Sequence, residues 1–279
     1  MPIHDQSYRR YQGERLPQGR AWTVIAAAGI RNMIGNRKFL GLLIMAWLPF
    51  VVRAVQFYVA VNLPQASMIA PSAETFRAFV DQQGGFVFFV PIFTGAGLIA
   101  NDLRANALQI YLSKPMSRAE YIAGKFGVLA CFLLLVTWLP AMMLLAVQVV
   151  LAGSLKFLID NVFLIPAITV YTLIETVVTS LIMLALSSLT KSSRFVGIMY
   201  AGVTFFTVAI FEAIHGITQT STFSWLSPTS SLQQLGDVVF RQTPRYETPI
   251  LVTLLALVVV AALAGWVLER RVRGVEVVT

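Results

Sequence analysis

The sequence predicts an all-α, polytopic membrane protein with six transmembrane helices, and three observations carry that expectation. Apolar residues make up 57% of the chain and charged residues 12%, about half the charged share of an ordinary soluble domain. The apolar residues gather in runs at 39–61, 84–100, 126–152, 162–186, 195–217 and 249–268. The first run extends about 34 Å at the helical rise, enough to cross a hydrocarbon core of about 30 Å. Finally, the basic residues behind the net charge of +8 sit at the ends of those runs. A membrane surface selects that distribution; a nucleic-acid surface does not require it.

Residues 1–38 read as a cytoplasmic N-terminal segment. Up to residue 19 it is polar and disordered in character, with Arg9, Arg10 and Arg15 and without the apolar core of a cleavable signal. From residue 20 to 38, Trp22, Ile25, Ala26, Gly29, Ile30, Met33 and Ile34 recur at three- and four-residue spacing, with Arg31, Asn32 and Arg37 on other faces. That is the pattern of an amphipathic helix lying in the membrane interface. The plainer alternative is an extension of the first span. The 39–268 segment is then the transmembrane domain, and 269–279 a cytoplasmic tail.

Within the transmembrane domain, span one (39–61) contains Pro49 and Arg53, and the loop 62–83 with Pro64, Pro71, Glu74 and Asp81 reads as extracytoplasmic. Span two (84–100) is short and interrupted by Pro91, and its start is expected to include a further turn. Its Gly95-Ala96-Gly97 allows close helix packing. Span three (126–152) is long enough to tilt, with a kink expected at Pro140. Spans four (162–186) and five (195–217) are joined by a tight basic turn containing Lys191 and Arg194. In 218–248, Ser227-Pro228-Thr229 can start a helix with Leu232, Leu235 and Val239 on one face. A short helix resting in the outer leaflet is expected there. Span six (249–268) ends in Glu269-Arg270-Arg271.

Between spans two and three lies a polar stretch, 101–125. Asn101 and Asp102 can cap a short helix through Leu112, which Pro115 cannot continue without losing a backbone donor. Ser117-Arg118-Ala119-Glu120 is a capping box immediately before the third apolar run. Counting Lys and Arg sets the orientation, with sixteen in the segments on the side of this stretch, four in the opposite segments and Arg53 within a span. The excess places both termini and the polar stretch in the cytoplasm.

Five pieces of the sequence carry a resemblance. Gly95-Ala96-Gly97-Leu98-Ile99-Ala100-Asn101-Asp102 closes span two, and Leu112-Ser113-Lys114-Pro115 precedes Arg118-Ala119-Glu120-Tyr121-Ile122-Ala123-Gly124-Lys125. Leu186-Ser187-Ser188-Leu189-Thr190-Lys191-Ser192-Ser193-Arg194 closes span four, and Arg270-Arg271-Val272-Arg273-Gly274-Val275-Glu276 ends the chain. In this order they resemble the permease subunits of type-2 ATP-binding-cassette (ABC) exporters. The chain differs at Arg104-Ala105-Asn106-Ala107, where that family often carries a small residue or glycine. The resemblance implies a multi-pass protein of the cell (inner) membrane that pairs with a second copy of itself or a homologous permease. It also implies a cytoplasmic ATPase subunit as partner, with ATP and Mg on that subunit and no cofactor on this chain. The stretch 101–125 becomes a coupling helix. Asp102, Arg104, Lys114 and Arg118 are its expected charge contacts, Leu108, Ile110 and Leu112 its apolar contacts, and Pro115, Ser117, Tyr121 and Lys125 parts of the same motif. A simple interfacial loop whose basic residues hold lipid phosphates is the plainer alternative.

The residues exclude several chemistries. No Gly-x-x-x-x-Gly-Lys-Ser/Thr occurs, so the chain is not expected to hydrolyse ATP, and neither Gly-x-Ser-x-Gly nor His-Glu-x-x-His occurs. His4 and His215 are too few and too far apart to suggest a metal site. Cys131 lies alone in an apolar run, as a small packing residue. Three ionisable residues fall within spans. Arg53 lies about 21 Å and Glu212 about 26 Å along their spans, and Glu175 lies near the middle of span four. A charge pair of Arg53 with Glu212 or Glu175 and a polar substrate path are both open at this point, as is Arg53 reaching to outer headgroups. Two rival functions also stand: a secondary transporter, and an ATPase-driven membrane module that acts on an extracytoplasmic protein.

Overall fold

The computed structural model describes residues 21–63, 71–107 and 117–272, and these residues form helices joined by turns and short loops, with no strand among them. The expected N-terminal disorder, together with Leu108, Ile110, Leu112, Lys114, Pro115 and most of the C-terminal tail, lies outside the described residues. In chain order the helices are α1 (Ala21–Ile34), α2 (Arg37–Ala46), α3 (Leu48–Asn62), α4 (Ala73–Gln82), α5 (Gly84–Thr94) and α6 (Ala100–Arg104). They continue as α7 (Arg118–Val136), α8 (Trp138–Ala152), α9 (Lys156–Asp160), α10 (Leu164–Leu189), α11 (Ser193–Thr218), α12 (Pro228–Val239) and α13 (Ile250–Arg271).

Five helical stretches are long and apolar enough to cross a bilayer: Arg37–Asn62, Arg118–Ala152, Leu164–Leu189, Ser193–Thr218 and Ile250–Arg271. Two of them are interrupted, and proline explains both breaks. Pro49 sits in the first turn of α3, immediately after the break at Trp47, where a missing N–H leaves nothing unpaired. Pro140 occupies the first turn of α8 after the break at Thr137; its ring would collide with the carbonyl of Val136 in a continuous helix. The expected kink in the third crossing is therefore found three residues ahead of the proline that causes it.

The second crossing is interrupted, as expected, but after Pro91 rather than at it, since α5 runs through Pro91 to Thr94. Residues 84–100 are not one helix: α5 ends at Thr94, turns occupy residues 95–99, and the short α6 follows. On the other side, the expected loop contains α4, capped by a Ser72–Thr75 box, which runs into α5 through a single turn residue, Gln83. The hydropathy signal fails there because α4 carries Glu74, Arg77 and Asp81 on a helix whose other face is apolar. Gln83 is fully buried, and its Nε2 donates to the carbonyl of Ala46 at 3.2 Å. The break in one crossing thus satisfies a carbonyl left free by the break in another, as a buried backbone acceptor requires.

α10 is the central post. It packs against α5, α7, α8, α11, α12 and α13, and 61% of its most apolar window is buried, against 17% for α11 and for α13. The latter two therefore turn most of their apolar surface outward, as lipid-facing helices do. Hydrophobic attraction between helices is weak in lipid, so close approach of small residues matters more. α1 shows this against α7, where a Cβ on Gly29 would lie 2.5 Å from Val128 Cγ2 and one on Gly124 would lie 2.7 Å from Ile25 Cβ. At 14 residues, α1 spans only about 21 Å, too short to cross.

α12 also departs from expectation. Its cap and start are as read from the sequence, with the Ser227 hydroxyl accepting from the Ser230 N–H and Pro228 in the first turn. However, Ser230, Ser231, Leu232, Gln234, Leu235, Gly236 and Asp237 are all buried. The helix is packed into the bundle against α10 and α13 on most of its surface. Gln234 holds the following loop by accepting from the Tyr246 N–H at 3.1 Å and donating to the carbonyls of Tyr246 at 2.9 Å and Thr248 at 3.0 Å.

Candidate functional site

At the end of the molecule bearing residues 101–125, α6 and α7 are tied together by side chains. Asp102 Oδ2 forms an ion pair with Lys125 Nζ at 2.7 Å and accepts from the Tyr121 hydroxyl at 2.7 Å. Tyr121 is fully buried, and Lys125 nearly so. The spacing of Tyr121 and Lys125, one helical turn, puts both on the face of α7 that meets α6. One carboxylate oxygen receiving a phenol and an ammonium in a largely dry setting is a charge-assisted arrangement.

The start of α7 is fixed by the capping box read from the sequence. The Glu120 N–H donates to Ser117 Oγ at 3.1 Å, and the Ser117 N–H donates to Glu120 Oε2 at 2.9 Å. Arg118 follows at the first helical position and is exposed, as is Arg104 at the end of α6. The expected contact set therefore divides in two. Asp102, Tyr121 and Lys125 face each other inside the chain, whereas Arg104, Ser117 and Arg118 face outward.

A residue quoted only as part of the span-four motif proves to organise this end. Ser187, buried near the end of α10, accepts from the N–H groups of Ile99 and Ala100, both at 3.1 Å, and donates to the carbonyl of Ala96 at 3.0 Å. Breaking the helix after Pro91 leaves these backbone groups without helical partners, and one hydroxyl serves three of them. A cavity of about 590 Å³ opens beside this joint, bordered by Ile25, Asn32, Asn101, Asp102, Lys125 and Arg194.

The three ionisable residues of the spans do not come together. Arg53 on α3 donates to Gln56 Oε1 at 3.2 Å, and among the described residues neither it nor Glu212 enters an ion pair. α3 packs on α2, α4 and α8, whereas Glu212 is exposed on α11, which packs on α5, α10 and α12. The equal-depth argument placed Arg53 and Glu212 at one level but could not place them on one side of the bundle. Glu175 does not pair with Arg53 either. It is buried in α10, where its Oε1 accepts from the Tyr171 hydroxyl at 3.3 Å.

The ion pairs at the far end were missed entirely. Arg77 of α4 contacts Asp81 at 2.6 Å and Asp237 of α12 at 2.9 Å, and Arg245 contacts the same two carboxylates at 2.6 and 2.8 Å. Arg77 also donates to the Gln233 carbonyl at 2.9 Å, and its guanidinium lies 5.2 Å from the centre of the Tyr171 ring. Hydrogen bonds to Asp237 and then to Asp81 hold the Arg245 guanidinium above its ordinary pKa, although partial burial opposes them. The sequence offered one local signal, the i, i+4 spacing of Arg77 and Asp81.

A helical bundle with several membrane-length apolar helices is a multi-pass membrane protein. Residues 23–272 match the family described as ABC-2 family transporter protein, and the chain belongs to that family. It is the permease component of an ABC transporter. No curated protein matches the chain.

Proposed function

We propose that this chain couples ATP hydrolysis on a separate cytoplasmic ABC ATPase to the export of a substrate across the cell membrane. The carrying observation is the Asp102–Tyr121–Lys125 joint, which makes α6 and α7 move as one piece. Because α1 is packed on α7 and Ser187 fastens residues 96–100 to α10, a displacement of the 101–125 segment reaches the central post. The excess of Lys and Arg on this side supports a cytoplasmic position for it and for both termini. Leu108, Leu112, Lys114 and Pro115 belong to the surface that the ATPase would press, together with the outward-facing Arg104, Ser117 and Arg118. In this reading ATP and Mg act on the partner, and two permeases, identical or homologous, form the path between them. Membership in an ABC family favours this reading over a secondary transporter, which needs no ATPase.

Co-purification with the ATPase tests the assignment. The parent chain retains the ATPase, and replacement of Arg104 and Arg118 by alanine weakens retention while the permease keeps its unfolding midpoint. Retention as tight as the parent's removes these residues from the contact.

A further inference from the structure

We infer that the cavity around Glu175 is a binding site for one compact monovalent cation, either an alkali-metal ion or the ammonium head of a small amine. The cavity holds about 120 Å³ between α4, α5, α10, α11 and α12, well above the roughly 10–15 Å³ that one water needs on this measure. Its wall includes the carboxylates of Asp81 and Glu175, the phenols of Tyr171 and Tyr200, Thr204 and Gln233, and it includes no Lys, Arg or His. The wall is therefore rich in oxygen acceptors and aromatic faces; of its two carboxylates Asp81 is already held by Arg77 and Arg245, which leaves Glu175.

Charge balance makes Glu175 the odd member. Arg77 and Arg245 are matched one for one by Asp81 and Asp237 through the four contacts described above, so that group is neutral without Glu175. Glu175 is 6% exposed, and its Oε2 has no hydrogen-bond partner among the described residues. A carboxylate this deep in a bundle is costly unless it takes up a proton or a positive group meets it, and the Arg77 guanidinium behind Tyr171 is already held by Asp81 and Asp237. The remaining acceptors suit a hard cation: Thr204 uses its proton on the Tyr200 carbonyl at 2.9 Å, which leaves its oxygen lone pairs free. Tyr200 is stacked on Phe88, with ring centres 5.5 Å apart, so the aromatic wall is held in place and can face an ammonium. The size of the cavity admits a small head and excludes a bulky one.

The site is read without nucleotide, so it stands or falls apart from the ATPase coupling. The full-length chain in nanodiscs of zwitterionic lipid is unfolded by heat at constant ionic strength, while N-methyl-D-glucamine chloride is replaced stepwise by methylammonium, sodium or potassium chloride. A saturable rise of about 2 °C or more with one of the compact cations supports the inference. A response to methylammonium alone identifies an amine site, and a response to sodium or potassium identifies an alkali-metal site. Glu175→Gln should raise the half-saturating concentration at least about tenfold. Thr204→Val, on the facing wall and mild enough to fold, should raise it about threefold. A parent chain that responds alike to all four salts overturns the site, as does Glu175→Gln or Thr204→Val titrating like the parent.

Discussion

The two polar joints of this molecule, one at each end of α10, use the same chemistry for different ends. Asp102, Tyr121 and Lys125 lie within 24 residues of sequence and join two consecutive segments. Arg77, Asp81, Asp237 and Arg245 join parts of the chain some 160 residues apart and match two cations to two anions. Ser187 and Tyr171, which mark the two levels on α10, are separated by about 24 Å of helix. The near joint makes a local lever stiff. The far one closes the bundle, because Arg77 ties α4 to α12 and Arg245 adds to the hold that Gln234 of α12 already has on the 241–248 loop. Burial sharpens the contrast: Arg77 and Asp237 are 3% exposed, so their charges have little recourse to water.

The contrast can be broken most severely at the far joint. Asp237→Ala leaves buried Arg77 without one of its two carboxylate partners and should cost about 3–5 kcal/mol, read as a lowered unfolding midpoint in nanodiscs. A midpoint within a degree of the parent's would show that the far joint does not brace the fold. Lys125→Ala should cost less stability, about 1–3 kcal/mol, because Asp102 keeps the Tyr121 hydroxyl. Its main effect should be on coupling, with ATP hydrolysis by the reconstituted complex continuing while transport falls. If hydrolysis and transport fall together with stability, the near joint is only another brace. Ser187→Ala removes one hydroxyl from three backbone groups and should cost about 1–2 kcal/mol, with faster amide exchange at Ile99 and Ala100. The smallest effects belong to the ionisable residues outside both joints. Arg53→Gln and Glu212→Gln should each change stability by no more than about 0.5 kcal/mol, which thermal unfolding can measure.

The residues of the near joint were singled out in the sequence although their mutual contacts were not, and the far joint was not foreseen at all, for a physical reason. The Ser117–Glu120 box and the kink expected at Pro140 are local, and local geometry follows from residue order. The contact of Asp102 with Lys125 was not read from the sequence, since nothing in its neighbours told that Lys125 would turn toward it. The pairing of Arg77 with Asp237 depends on how α4 and α12 meet, which no window of sequence contains. α12 was found by its cap and its apolar face, yet its polar face also proved buried, because Gln234 and Asp237 had partners in other segments. Ser187 read as the polar end of a span, and only the broken turn beside it gives its hydroxyl three tasks.

The buried amide of Gln83 has a consequence of its own. Since the interruption of one crossing supplies the donor that closes the interruption of another, straightening either rod would strand an oxygen or a nitrogen in hydrocarbon. The two bends are thus thermodynamically linked, and a wave of motion entering through one of them cannot pass without registering in its neighbour.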